Sequence, residues 1–212
     1  MSPDSASAEG RTSALVWAAA AQLLTYPDPE LLGRLDLIEE ALADTWAAEL
    51  VAPTLSHLRT TALMEAQSFH VQEFDLSRRH ALHLTYWTDG DTRRRGEVLA
   101  GIKQLYRDSG LVVAPDGELV DYLPMVCEFA VADTERGLEL LTRYRPSVEL
   151  LNYGCADDDL PHAGVVEAIC RTIPGQRPAD RNEIQAMARA AMPTESVGLE
   201  PSFLGIPELQ RS

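Results

Sequence analysis

Between Ala14 and Tyr26 the chain reads ALVWAAAAQLLTY, a run with neither glycine nor proline. Alanine and leucine lose little conformational freedom in a helix, so this run predicts one, with Ser13 as its N-cap. The run is apolar nearly all round, and such a helix belongs in the middle of a packed body, not on its surface. The rest of the chain follows the same grammar. Pro27-Asp28-Pro29 stops the first helix. Pro29 then opens ELLGRLDLIEEALADTW, since a missing N–H costs little in a first turn. Leu31, Leu35, Ile38 and Leu42 recur there at helical spacing.

Further helices are predicted after Pro53, in TLSHLRTTALMEAQSFHVQEF, and over residues 93–110, in RRRGEVLAGIKQLYRDSG. In the second of these, Asp91 or Thr92 is the N-cap, Val98, Ile102 and Leu105 mark one face, and Gly110 suits the C′ position. Pro124 is placed to start MVCEFAVADTERG, and GLELLTRYRPSVELLNYGCA is helical with an interruption at Pro146. HAGVVEAICRTI and RNEIQAMARAAM close the series. Residues 77–88 fit either a short helix or an extended connection, and residues 111–124 form a connection with a turn at Pro115-Asp116-Gly117. Sustained alternation of apolar and polar residues is absent, and LVV at 111–113 is too short to build a sheet. The fold class is therefore all-α: a single-domain bundle of about eight to ten helices over residues 13–192. A disordered tail over 1–12 and a loose, Pro/Gly-containing tail over 193–212 flank it.

Charge narrows the partners. The chain has 212 residues, with 33 acids against 18 bases and a net charge of -15. Such a field repels phosphate backbones and attracts cationic partners, so nucleic acid is not an expected ligand. The charge is uneven: residues 1–76 and 111–212 carry -9 each, and residues 77–110 carry +3. No run approaches the length of a membrane span, so direct membrane insertion is not expected. The opening MSPDSASAEG has no basic or apolar region of a secretory signal, and three isolated cysteines suit a reducing compartment. Both point to the cytoplasm.

The commoner catalytic words are missing: GxxxxGK[ST], GxGxxG, HExxH and GxSxG. His80 and His83 could share a helix face, but two ligands without a third make a weak metal site. Cys127 sits in an apolar helix with no partner histidine implied, as a buried small hydrophobe does. Asp157-Asp158-Asp159 reads as a solvated loop or helix entry, and Arg93-Arg94-Arg95 as a solvated helix start or an anion-facing cluster. On these grounds the chain is an interaction protein, not an enzyme.

Four words resemble a known family. One is Glu73-Phe74-Asp75, followed by HLTYWTDGDTRRRG over residues 83–96; another is ELVDYLPMVCEF over residues 118–129. The opening helix followed by Leu24-Thr25-Tyr26-Pro27-Asp28 matches as well. Together, over about residues 14–155, they resemble the NarJ family, the assembly chaperones of respiratory nitrate reductase, within the TorD/DmsD-like class. Many relatives read HxxxHG where this chain has Tyr86-Trp87-Thr88-Asp89-Gly90. The resemblance implies a TorD-like helical fold without catalysis. It implies binding of the N-terminal peptide of the nitrate reductase catalytic (alpha) subunit, with cofactor-biosynthesis proteins as further candidate partners. It implies that the molybdopterin guanine dinucleotide is handled by the client and not bound stably by the chaperone. A chaperone of the same class serving another molybdoenzyme is the alternative, ahead of a small helical enzyme or a scaffold.

The target peptide would be cationic and amphipathic. An apolar groove with acids at its rim would receive it. Asp121 and Glu128, seven residues apart, share a face if both are helical, and are expected to receive arginine. Trp87, Tyr122 and Leu123 are expected to line the apolar floor. Asp89, Arg93, Arg94, Arg95 and Pro124 are expected to shape the motif or face an anion. An internal pairing of Glu128 with the arginine cluster is the competing expectation. Phe203, Leu204 and Ile206 in the tail suit covering that groove.

Overall fold

A computed structural model of the chain describes residues 3–89, 93–112 and 118–191. Asp91, Thr92, the Pro115-Asp116-Gly117 turn and the 193–212 tail lie outside the described residues, as does the side chain of Arg93. Among the described residues there are eleven α-helices and one π-helical turn, and no β-strand. The helices are α1 (Pro3–Leu23), α2 (Pro29–Leu42), α3 (Ala48–Thr60), α4 (Leu63–His70), α5 (Leu84–Asp89) and α6 (Arg93–Asp108). They continue as α7 (Leu123–Ala132), α8 (Thr134–Arg143), α9 (Arg145–Asp157), α10 (Ala163–Thr172) and α11 (Arg181–Ala191). No described helix is long and apolar enough to cross a membrane.

The all-α expectation holds, with one helix more than the upper expected count. The extra helix comes from Thr61 and Ala62, whose extended backbone breaks the expected helix after Pro53 into α3 and α4. Pro53 does not start α3 but lies inside it. Helix α1 begins at Pro3, well before Ser13, and the Ser13 hydroxyl donates back to the Glu9 carbonyl as an interior residue does. Residues 3–12 are thus helical in the structure. Proline at the first position and a run of small residues give the chain no reason to delay the helix. The other punctuation falls as expected. Asp28 caps α2 by accepting from the Leu31 amide at 2.7 Å, Pro124 lies in the first turn of α7, and Pro146 in that of α9. Gly110 takes φ +76° after α6, and the Leu111 amide donates to the Tyr106 carbonyl at 3.0 Å, closing a Schellman end.

Helix α1 is central, packed against α7 and α10, while α10 also contacts α3 and α9. Trp17, Leu23, Leu24, Leu123, Leu140, Leu151 and Ile169 are fully enclosed in this core. The Trp17 indole donates to the Thr172 hydroxyl at 2.8 Å, so even this large ring leaves no polar atom unpaired. Two glycines set the closest helix contacts. A Cβ on Gly164 of α10 would lie 1.8 Å from the Leu50 carbonyl oxygen of α3, and one on Gly137 of α8 would lie 2.2 Å from the Ala130 Cα of α7. All three cysteines, Cys127, Cys155 and Cys170, are unpaired and buried. Burial pushes the Cys155 thiol up to about 12 and those of Cys127 and Cys170 well above the ordinary value.

Candidate functional site

The segment between α4 and α5 departs from regular structure, and a cleft forms there. Helix α4 runs into a π-helical turn over Val71–Asp75, which holds the word Glu73-Phe74-Asp75. Single π turns are rare and recur at functional sites. The chain then crosses to α5 through an antiparallel bridge between His83 and Tyr122. Its two hydrogen bonds run from the Leu84 amide to the Asp121 carbonyl (3.0 Å) and from the Leu123 amide to the Leu82 carbonyl (2.8 Å). Between these features opens a cleft of about 440 Å³. Residues 74–78 and 81–83 form its floor, and Tyr86 of α5, Arg95 of α6 and Tyr122 form its walls.

The words of the sequence that lie far apart in the chain meet here. Phe74 comes from the first, His83, Tyr86 and Arg95 from the second, and Tyr122 from the third. The Tyr122 hydroxyl donates to the Leu24 carbonyl at 3.2 Å, which brings in the word that ends α1. The His83 and Tyr122 rings lie 5.4 Å apart.

Asp121 organises this meeting from inside. Its carboxylate is fully buried and accepts from the Thr85 amide (3.0 Å), the Thr85 hydroxyl (2.5 Å) and His83 Nδ1 (3.3 Å). The Arg95 guanidinium donates to the same Thr85 hydroxyl at 2.9 Å and lies 3.6 Å from the carboxylate. Burial alone would raise the Asp121 carboxyl, but the hydrogen bonds from His83 and Thr85 outweigh it and hold the group below its usual value. A buried carboxylate with this many donors is an anchor for its own chain.

This corrects the geometry expected of Asp121 and Glu128. Helix α7 starts at Leu123, so Asp121 precedes it and the two acids share no helix face. Asp121 meets the chain's own Arg95, not open solvent. Glu128 is exposed and lies elsewhere, in a shallower groove of about 240 Å³. Met125, Phe129 and Ala132 of α7 line that groove, with Tyr106, Leu111 and Val112 opposite. The expected pairing of Glu128 with the arginine cluster is not what forms: Arg94 lies 3.8 Å from Asp89, and Arg95 faces Asp121.

Of the other expected floor residues, Tyr122 lines the cleft. Leu123 is fully buried in the core, as is Pro124 at the start of α7. The Trp87 indole donates to the Ala81 carbonyl at 3.0 Å, and its ring packs on the core behind the cleft floor. Asp89 accepts from the Thr88 hydroxyl at 2.8 Å at the end of α5. Phe74, Leu76, Arg78 and Tyr86 also line the cleft, beyond the site residues expected from the sequence. Phe74 and Tyr86 lay inside the quoted words and were the available signal; nothing local marked Leu76 or Arg78.

His80 and His83 do not converge on a common point. His83 turns to Asp121 and Tyr122, and His80 is buried elsewhere, against Glu73 and Asp158. Among the described residues no group of three or more histidines, cysteines or acids is placed to hold a metal ion.

Behind the cleft, Phe74 also packs against a histidine cluster. His70 and His162 lie 5.1 and 5.2 Å from its ring, and His57 lies 5.8 Å from His162. Burial, then the neighbouring His57 and His70, push His162 down to about 3.

The family described as "Nitrate reductase delta subunit" matches residues 36–163. The chain is 44% identical over 161 residues to the "Nitrate reductase-like protein NarX" of Mycobacterium tuberculosis, covering 74% of this chain and 24% of NarX. It thus spans about a quarter of the length of that relative. It is 25% identical over 178 residues to the "Probable nitrate reductase molybdenum cofactor assembly chaperone NarJ" of Bacillus subtilis, covering 81% of this chain and 96% of that protein. A crystal structure of a candidate redox enzyme maturation protein from Archaeoglobus fulgidus matches with a TM-score of 0.58 at 18% identity. The match covers 74% of this chain and 91% of that one, and it shows a shared fold.

Proposed function

Because the chain belongs to the nitrate reductase delta subunit family, a family of assembly proteins and not of enzymes, we propose that it is an assembly chaperone for a nitrate reductase catalytic subunit. In this reading the chaperone binds the N-terminal peptide of the apo-subunit in the cytoplasm. It keeps that subunit from its membrane partner while the molybdenum cofactor enters the client, and it retains no cofactor itself. The observation that carries the reading is the convergence of three separated sequence words on one open cleft, with the fourth tied to its Tyr122 through the Leu24 carbonyl.

The cleft suits apolar side chains of a peptide. Phe74, Tyr86 and Tyr122 offer ring faces, and Leu76, Ala81 and Leu82 a greasy floor. A client arginine would find the exposed carboxylate of Glu128 at the separate apolar groove on α7. The net charge of -15 draws a cationic peptide to the molecule, which raises the association rate more than the final affinity, while Arg78 and Arg95 against Asp75 at the cleft itself favour the peptide's apolar residues there over its cations.

Calorimetric titration with the N-terminal peptide of the same organism's nitrate reductase catalytic subunit tests this. The signal peptide of a different molybdoenzyme serves as control. The expected result is micromolar or tighter binding, about -8 kcal/mol, to the first peptide alone, weakened by Tyr86→Ala. Binding to the control alone would reassign the client. Binding to neither would remove the peptide from the reading.

A further inference from the structure

Helix α9 ends in Asp157-Asp158-Asp159, at the negative end of its dipole, where carboxylates are disfavoured. Each of the three has its own task. Asp159 takes the left-handed conformation, φ 50°, and the Leu160 amide donates to the Cys155 carbonyl at 2.9 Å in a Schellman end. Asp157 accepts from the Arg79 guanidinium at 2.6 Å, out at the surface. Asp158 reaches Arg79 at 3.2 Å and also His80 Nε2 at 3.0 Å.

The His80 ring is 2% exposed, and its other nitrogen, Nδ1, lies 3.1 Å from Glu73 Oε2. Both carboxylates approach off the ring N–H directions, so these are close polar contacts and not aligned hydrogen bonds. The loop can lie this close only because residue 154 is glycine: a Cβ there would meet the Arg79 carbonyl oxygen at 2.5 Å.

The two carboxylates belong to different parts of the molecule. Glu73 is in the π-helical turn at the start of the cleft floor, and Asp158 caps a core helix. His80 sits between them, behind the floor, in the stretch 74–83 whose other residues apart from Arg79 line the cleft. We propose that His80, held between Glu73 and Asp158, is the positioning residue of the cleft, fixing the 74–83 segment in the shape a client peptide meets. This rests on the peptide-binding reading above. The surface pair of Asp157 with Arg79 contributes little, because solvent screens it. The enclosed contact carries the effect, because a buried ring that loses a carboxylate keeps the penalty of its burial.

Arg78 and Arg79 are exposed on this segment and are the natural sites for limited trypsin cleavage of the full chain. Asp158→Asn is expected to speed cleavage after Arg78 about tenfold and to weaken peptide binding by a similar factor. Asp157→Asn should leave both within about twofold. Glu73→Gln releases the ring from the other side and is expected to repeat the Asp158→Asn result. Unchanged cleavage after Arg78 in both variants would overturn the proposal. Cleavage raised equally at arginines across the bundle would overturn it too, by making the contact merely structural. If the wild-type chain binds no peptide, the client reading falls, and the contrast in cleavage between Asp158→Asn and Asp157→Asn still decides whether the clamp holds the loop.

Discussion

The helix-to-helix contacts of the core and the floor of the cleft are both tightly held, by opposite means. The first is held by volume. Ala19, Ala20 and Ala21 let helices approach, Gly164 and Gly137 let backbones touch, and leucines fill what is left. The second is held by direction. Between residues 70 and 85 the buried polar groups are His70, His80 and Thr85, each set beside a carboxylate or an aromatic ring, among the buried apolar Phe74, Leu82 and Leu84. A volume contact tolerates no added atom. A directional contact tolerates atoms and fails when a charge or a lone pair is lost.

Gly164→Ala should break the first region most severely. Its new methyl group has no room beside the Leu50 carbonyl, and we expect a loss above roughly 3 kcal/mol, read from the urea midpoint. A midpoint within error of wild type would mean that α3 and α10 are not fixed by contact. Asp121→Asn keeps the volume and removes the charge. It should cost about 2 kcal/mol in the same titration, and a loss as large as that of Gly164→Ala would erase the distinction between the regions.

The histidine cluster behind Phe74 predicts a pH dependence. Folded His162 takes up a proton only near pH 3, while the unfolded chain takes one near 6.5. The unfolded state therefore binds more protons in that window, and stability falls as the pH is lowered from about 6.5 toward 3. The slope for one such group approaches about 1.4 kcal/mol per pH unit. Urea titrations between pH 7 and 5.5, where carboxylates stay ionised, should show it, and His162→Phe should flatten it. An unflattened slope would move the effect to His57 and His70. The smallest change is Asp159→Gly, which relieves a left-handed residue and removes an acid from a helix C-terminus. A gain of about 0.5 kcal/mol is expected, and a loss would show that the Asp159 carboxylate has a partner role of its own.

The same contrast explains what could be read in advance. Volume is written as periodicity: Leu31, Leu35, Ile38 and Leu42 are all buried on α2, and the apolar run of α1 is central. Proline and glycine mark ends through backbone terms alone, so Pro29, Pro124, Pro146 and Gly110 could be placed from sequence. The failures lie where partners are remote. Ser13 is the local exception, because a serine suits the interior of a helix already begun at Pro3 as well as it suits a cap. Nothing near Asp121 says that Thr85 and Arg95 will meet it from 36 and 26 residues away. The triple aspartate after α9 looked like a solvated loop because its partners, Arg79 and His80, are about 80 residues upstream. Of the cleft, Tyr122 was expected there by residue, Arg95 as a motif or anion-facing residue, His83 as a weak metal ligand, and Phe74 and Tyr86 only as letters in words.

The enclosed cysteines have a practical consequence. With every thiol out of reach and its ionisation suppressed, alkylating reagents and disulfide exchange have nothing to attack in the native protein. A cysteine introduced at Ser77, on the cleft rim, would then be the sole reactive handle. A fluorophore there would report the approach of a peptide to the floor without any native residue having to be removed.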